Sequence, residues 1–155
     1  MIGSRLALLF TLALAAPGCE GPTAPGDRDL LTEARARWRA QNQDSYSVEL
    51  DRNCFCLLGG RSMRLTVKGG AVVAAEFTDS GSPVDQALLT YIPTVPDLFD
   101  LIQDALERRA ASFWAEYDPS FGYPTRIEID YSATTADDEI AYSARNLVFL
   151  ETTSR

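Results

Sequence analysis

The sharpest chemical feature of this chain is a pair of cysteines two residues apart, Cys54 and Cys56. In an oxidising compartment they should pair with each other, provided the third cysteine, Cys19, is consumed elsewhere. An extended strand sets residues two apart at or just past the distance that a disulfide tolerates. Pairing therefore demands a bend, and Leu57-Leu58-Gly59-Gly60 can supply it. So small a ring stabilises little, because stabilisation grows with loop length. A strained pair of this kind is also easily reduced. Three readings stay open: a structural disulfide, a redox-active pair, and reduced or metal-bound thiols. Zinc would need two further ligands, and those would have to be carboxylates because the chain contains no histidine.

Carboxylates form the second group. Asp137-Asp138-Glu139 with Asp130 is the best oxygen cluster, and calcium takes six to eight oxygens. No EF-hand spacing accompanies it, and acids at a turn ordinarily bond backbone amides or face water. It is a weak calcium candidate, and no metal or other cofactor is assigned. Glu128 and Asp130 share one strand face, a spacing compatible with paired-carboxylate hydrolysis. Arg126 on the same face points instead to a charge ladder. Tyr117, Phe121, Tyr123, Tyr131 and Tyr142 gather in the C-terminal half. They fit either a recognition patch or the filling of one side of a sheet, the second being the commoner use of such rings.

The absence of histidine excludes serine–histidine and cysteine–histidine nucleophiles, histidine bases and histidine-bound metals. Lysine occurs once, at Lys68, beside a Gly-Gly turn. The net charge of −8 and the lack of a basic patch exclude nucleic acid as an expected partner. No catalytic motif stands out, so the chain reads as a non-enzyme.

These groups must be positioned by a fold, and the order of elements is legible. Arg5, the apolar run Leu6 to Ala16 and Pro17-Gly18-Cys19 have the layout of an export signal over residues 1–18. The run is shorter than the ~20 residues that span a bilayer. A cysteine directly after small residues resembles the lipobox of bacterial lipoproteins, which implies a mature chain beginning at lipid-bearing Cys19. Ala16 stands where that family favours leucine. Residues 19–28, rich in Pro and Gly, read as a flexible tether. Residues 29–150 are long enough for one domain with a core.

Leu31, Ala34, Trp38 and Gln41 give a first helix over about Asp29 to Asn42, with Trp38 as core anchor. Tyr46, Val48 and Leu50 mark one strand, and Met63, Leu65 and Val67 a second. Val73, Ala75 and Phe77 mark a third. A three-residue loop with Gly70 left-handed is expected between the second and third, pairing Leu65 with Val73. Thr94 and Asp97 form a capping box, with Pro96 in the first turn, and Val95, Leu98, Phe99, Ile102, Ala105 and Leu106 make the stripe of a second helix. Three more strands follow: Phe113 to Tyr117, then Thr125, Ile127, Ile129 and Tyr131, then Ile140, Tyr142 and Ala144 onward, with Leu150 as the outer bound. The expected class is α+β: one antiparallel sheet with two helices on one face.

The chain resembles a family of bacterial lipoprotein-like domains of unknown function. The carrying residues are Trp38 with Asn42, Asp44-Ser45-Tyr46, Cys54-Phe55-Cys56, Asp97-Leu98-Phe99-Asp100, Tyr117-Asp118-Pro119, Gly122-Tyr123-Pro124, Ile129-Asp130-Tyr131 and Asp137-Asp138-Glu139. The resemblance spans about Asp29 to Leu147 and implies an exported domain, with no known activity, substrate or cofactor to carry over. The combined expectation is a module in the cell envelope, on the periplasmic or cell-surface side, tethered to a membrane through Cys19. It would bind an envelope protein or small ligand through Tyr123, Asp130, Tyr131, Asp137, Asp138 and Glu139, or play a structural role. A thiol–disulfide protein using Cys54 and Cys56, and a calcium-dependent or carboxylate-based hydrolytic module, are the alternatives.

Overall fold

The computed structural model describes residues 25–135 and 138–151. Its elements run α1 (Pro25–Ala40), β1 (Tyr46–Cys54), β2 (Arg61–Lys68), β3 (Ala71–Phe77), a short 3-10 helix (Gln86–Tyr91), α2 (Val95–Arg108), β4 (Ser112–Tyr117), β5 (Pro124–Asp130) and β6 (Glu139–Phe149). All strand pairs are antiparallel, in one open sheet of order β3-β2-β1-β6-β5-β4. The α+β class holds. The 3-10 helix was not foreseen, and α1 begins at Pro25, so its first turn takes up residues expected in the tether.

Alternation decides the sheet. Tyr46, Val48 and Leu50 on β1, Met63, Leu65 and Val67 on β2, and Ile127 and Ile129 on β5 are buried on one face. Their neighbours Glu49, Asp51, Arg64 and Glu128 project to the other face. Leu31, Ala34 and Trp38 of α1 and the stripe Val95, Leu98, Phe99, Ile102, Ala105 and Leu106 of α2 complete the core. The capping box of α2 is present in full: the Thr94 hydroxyl accepts from Asp97 N–H, and the Asp97 carboxylate accepts from Thr94 N–H at 2.8 Å. The two helices are clasped by Arg28, which donates to the Leu106 carbonyl at 2.9 Å, and by Arg35, which meets Asp100 and Gln103, each at 3.0 Å.

One residue meets the sheet and both helices. The hydroxyl of Tyr46 accepts the N–H of Val95, the first residue of α2, at 2.9 Å. Its ring stands edge-on to Trp38 of α1 at 5.3 Å. Burial pushes its phenol up to about 12.

The β2–β3 turn corrects the expected register. Lys68 pairs with Ala71, so the loop is the two residues Gly69 and Gly70, at φ 57° and 76°. That combination suits a tight hairpin whose twist matches its strands. The register then shifts: Val67 faces Val72, but Thr66 faces Ala74. Val73 is the extra residue of a bulge and is 42% exposed, while Ala75 reaches the core. The bulge thus brings Ala75, rather than the expected Val73, opposite Leu65. A second bulge, at Asn146 (φ 55°) in β6, lies opposite the shift between Ser47 and Glu49 and buries Leu147.

The β4–β5 turn is pressed onto α1. Asp118 accepts from the N–H groups of Ser120 and Phe121 at 2.9 and 2.7 Å. Gly122 follows at φ 85°. A Cβ there would meet the Ala34 carbonyl, and would lie 2.9 Å from Arg37 Cβ and 3.0 Å from Trp38 N.

Two outcomes follow from this packing. Tyr46→Phe leaves the buried Val95 N–H without its acceptor, which costs ~1–3 kcal/mol; chemical denaturation should show that loss with the fold retained. Gly122→Ala combines a left-handed backbone, worth roughly 1–3 kcal/mol, with displacement of α1. It should lower thermal stability by several degrees, whereas Gly81→Ala, where a Cβ meets nothing within 4 Å, should carry the backbone cost alone.

Candidate functional site

The sheet face away from the helices is polar, and two regions on it differ in kind. Across its centre runs a ladder drawn from β1, β2 and β6. Glu49 accepts from Arg64 at 2.8 Å and from Asn146 at 3.0 Å, and lies 3.2 Å from Arg145. Asp51 accepts from Arg145 and Ser62. Hydrogen bonds from Arg64 and Asn146 hold the Glu49 carboxyl below its ordinary range. At Asp51, burial works the other way, but the bonds from Arg145 and Ser62 outweigh it and the carboxyl is also lowered. Glu128 on β5 accepts from Arg126 at 2.9 Å. These carboxylates are committed to guanidinium partners, an arrangement suited to a fixed surface rather than to proton transfer.

The second region is the corner where β1, β6 and β5 end. Cys54 faces Ile140 across β1–β6, and Ile140 faces Ile129 across β5–β6, all three at the strand parity of the buried face, so the corner wraps the end of the sheet rather than lying wholly on its polar face. Cys54 is bonded to Cys56, with Cα atoms 5.2 Å apart. The bend that the spacing required is present: Gly59 N–H reaches the Cys56 carbonyl at 3.0 Å and Gly60 N–H reaches the Arg52 carbonyl at 2.7 Å. Between the cysteines, Phe55 stands 85% exposed. A cavity of ≈ 470 Å³ opens beside it, lined by Cys54, Phe55, Asn53 and Ser112, by the carboxylate residues Glu128, Asp130 and Glu139, and by Ile129, Ile140 and Ala141, with no lysine or arginine among the described residues that line it. Asp130 and Glu139 face each other across β5–β6, so both project to this face. Asp130 accepts the N–H of Ser132 at 2.9 Å.

The residues expected to form a binding surface divide. Asp130 and Glu139 line the corner. Tyr123 does not belong to a surface: it is 6% exposed, because Gly122 draws the turn onto α1. Tyr131 turns towards α2, where its hydroxyl donates to Asp104 at 2.9 Å and Arg108 covers its ring at 4.2 Å. Burial and the bond to Asp104 push its phenol up to about 12. Tyr142 and Tyr117 also pack against the core. The C-terminal rings thus fill the sheet and helix interface rather than forming a patch. Asp138 is partly buried and has one carboxylate oxygen without a partner; Asp137 and Cys19 lie outside the described residues. Among the described residues no group of three or more acids and cysteines is arranged to hold a metal ion, and no helix is long and apolar enough to cross a membrane. Sequence reasoning passed over Phe55 as a surface ring, and over Trp114, 55% exposed on edge strand β4. Its signal was the outward parity of Trp114 between Phe113 and Ala115.

A helix-covered antiparallel sheet with one polar face and a disulfide at its corner defines an α+β domain. The chain belongs to the family of unknown function DUF6174, which matches it over residues 30–149. No curated protein and no solved structure matches it.

The ladder makes a pH prediction. Glu49 and Asp51 bind protons less readily folded than unfolded. Their stabilisation is therefore fully present above the ordinary carboxylate range and fades as pH falls through the lower folded values. Urea midpoints taken from pH 7 down to pH 2 should fall along a steeper acid limb in the parent than in Glu49→Gln/Asp51→Asn. Parallel limbs would refute the ladder.

Proposed function

We propose that this chain is an exported, lipid-anchored and non-catalytic binding module whose recognition surface is the β1–β6–β5 corner. The observation that carries the reading is Phe55, a ring held in water by a cysteine on either side and set beside a cavity that contains carboxylates and no cation. An exposed aromatic next to a concave, partly apolar wall is the kind of anchor that recognition surfaces use. The ligand it suits carries an apolar group to lie on Phe55 and a positive charge for Asp130 and Glu139, as a basic aromatic peptide does. Export and anchoring rest on the leader ahead of Cys19, and they would place the corner in the envelope with its disulfide formed.

The test is calorimetric titration of the full chain with three peptides matched in length: lysine–tryptophan-rich, glutamate–tryptophan-rich and glycine–serine-rich. Binding of the first, weakened at least tenfold by Phe55→Ser and unchanged by the distant surface variant Val148→Ser, supports the corner. Equal responses to all three, or indifference to Phe55→Ser, would refute it.

A further inference from the structure

We propose that the Cys54–Cys56 disulfide is a thiol–disulfide exchange site for neutral or cationic thiols, in addition to framing Phe55. Three features of the corner lead to it. First, the disulfide closes a ring of minimal length, so it removes little freedom from the unfolded chain. Second, the bend does not need it. The Gly59–Cys56 and Gly60–Arg52 backbone bonds already close the turn, and Gly59 packs so tightly on the Cys54 carbonyl that no Cβ would fit there. The same turn holds Leu58 at φ 64°, a left-handed conformation that leucine rarely adopts and that surrounding structure must impose. Third, the two cysteines differ in exposure. Cys56 belongs to an exposed residue and Cys54 to a partly buried one in the cavity wall.

Access sets the order of events. An incoming thiolate attacks Cys56 Sγ and the Cys54–Cys56 bond breaks, with its electron pair leaving on Cys54 Sγ, which takes a proton from water. A second thiolate of the same reagent, a dithiol, attacks the reagent sulfur of the mixed disulfide. Cys56 leaves as thiolate and is protonated in turn. The reagent is oxidised to its disulfide by two electrons, and the protein is reduced to two thiols. Asp130 and Glu139, in the wall of the cavity that Cys54 and Phe55 also line, repel an anionic attacker and attract a cationic one, so the corner selects among thiols by charge.

The experiment uses the full chain with Cys19→Ser, purified oxidised, with exchange followed by rapid acid quench, alkylation and intact mass under native conditions. Dithiothreitol, cysteamine and glutathione serve as neutral, cationic and anionic thiols, each compared at equal thiolate concentration. The expected results are complete opening by dithiothreitol without denaturant, cysteamine reacting about tenfold faster than glutathione, and that ratio collapsing towards one in high salt and in Asp130→Asn/Glu139→Gln. The reduced chain should melt within a few degrees of the oxidised one. Resistance to reduction until denaturant is added, a large drop in melting temperature on reduction, or equal rates for the two charged thiols would each overturn the proposal. Since no peptide takes part, failure here leaves the binding reading standing, and failure of peptide binding leaves this one standing.

Discussion

The contact on which the architecture most depends is the one between Tyr46 and its two helices. Tyr46 opens β1, which lies in the interior of the sheet between β2 and β6. Its hydroxyl satisfies a backbone N–H at the start of α2, a position that has no partner within its own helix. Its ring meets Trp38, which is tilted against Phe149 of β6 at 5.8 Å, and Phe149 in turn meets Phe121 of the β4–β5 turn at 5.1 Å. One line of rings thus joins α1, the central pair of strands and a remote turn. Gly122 adjoins the same line, and its lack of a side chain lets the turn come down on α1. Both helices are fixed relative to the sheet by buried groups that have one good arrangement.

The topology then explains where the corner comes from. Each half of the chain is a helix followed by a three-strand meander, which invites the idea of duplication. The strand order argues against a simple one: β1 adjoins β6, whereas halves repeated about a two-fold axis would set β1 beside β4. The consequence is chemical. Cys54 from the first half is brought opposite Ile140, and through it near Ile129, Asp130 and Glu139 from the second. The corner exists only when the β1–β6 pairing has closed over most of the chain's length. On the other flank, Phe77 and Val84 donate to the carbonyls of Ser82 and Ala75, so the segment after β3 covers that sheet edge.

Local features were readable from sequence and non-local ones were not. α2 was legible from end to end because its cap, its proline and its stripe act within a few residues of one another. Strand parity was legible for the same reason. The β2–β3 loop was misjudged because two devices restore register, a longer loop or a bulge, and local spacing does not choose between them; the chain uses the bulge at Val73. Tyr123 looked like a surface ring because the collapse of its turn depends on α1, 84 positions or more away for the contacts at Gly122 with Trp38. The Glu49–Arg64–Arg145 ladder needed the β1–β6 adjacency, which nothing short-range announces. The corner was half legible: Asp130, Glu139 and the cysteines stood out by type, while the exposure of Phe55 goes with the turn that the Gly59 and Gly60 backbone bonds close.

Charge distribution supplies the last step. The chain is acidic overall, yet its polar sheet face is not uniformly so. Arg64 and Arg145 are spent on Glu49 and Asp51, and Arg126 on Glu128. Exposed pairs of this kind add little stability. What they do is cancel field along the centre of the face. At the corner, Asp130 and Glu139 sit opposite each other with no lysine or arginine among the described residues of the cavity wall, so negative potential is concentrated in the cavity beside Phe55. Like charges set across a strand pair are unfavourable for the sheet itself. A sheet that neutralises its middle and leaves two carboxylates facing each other at one end gives up some stability there, and gains a surface whose field and exposed ring act on the same approaching molecule.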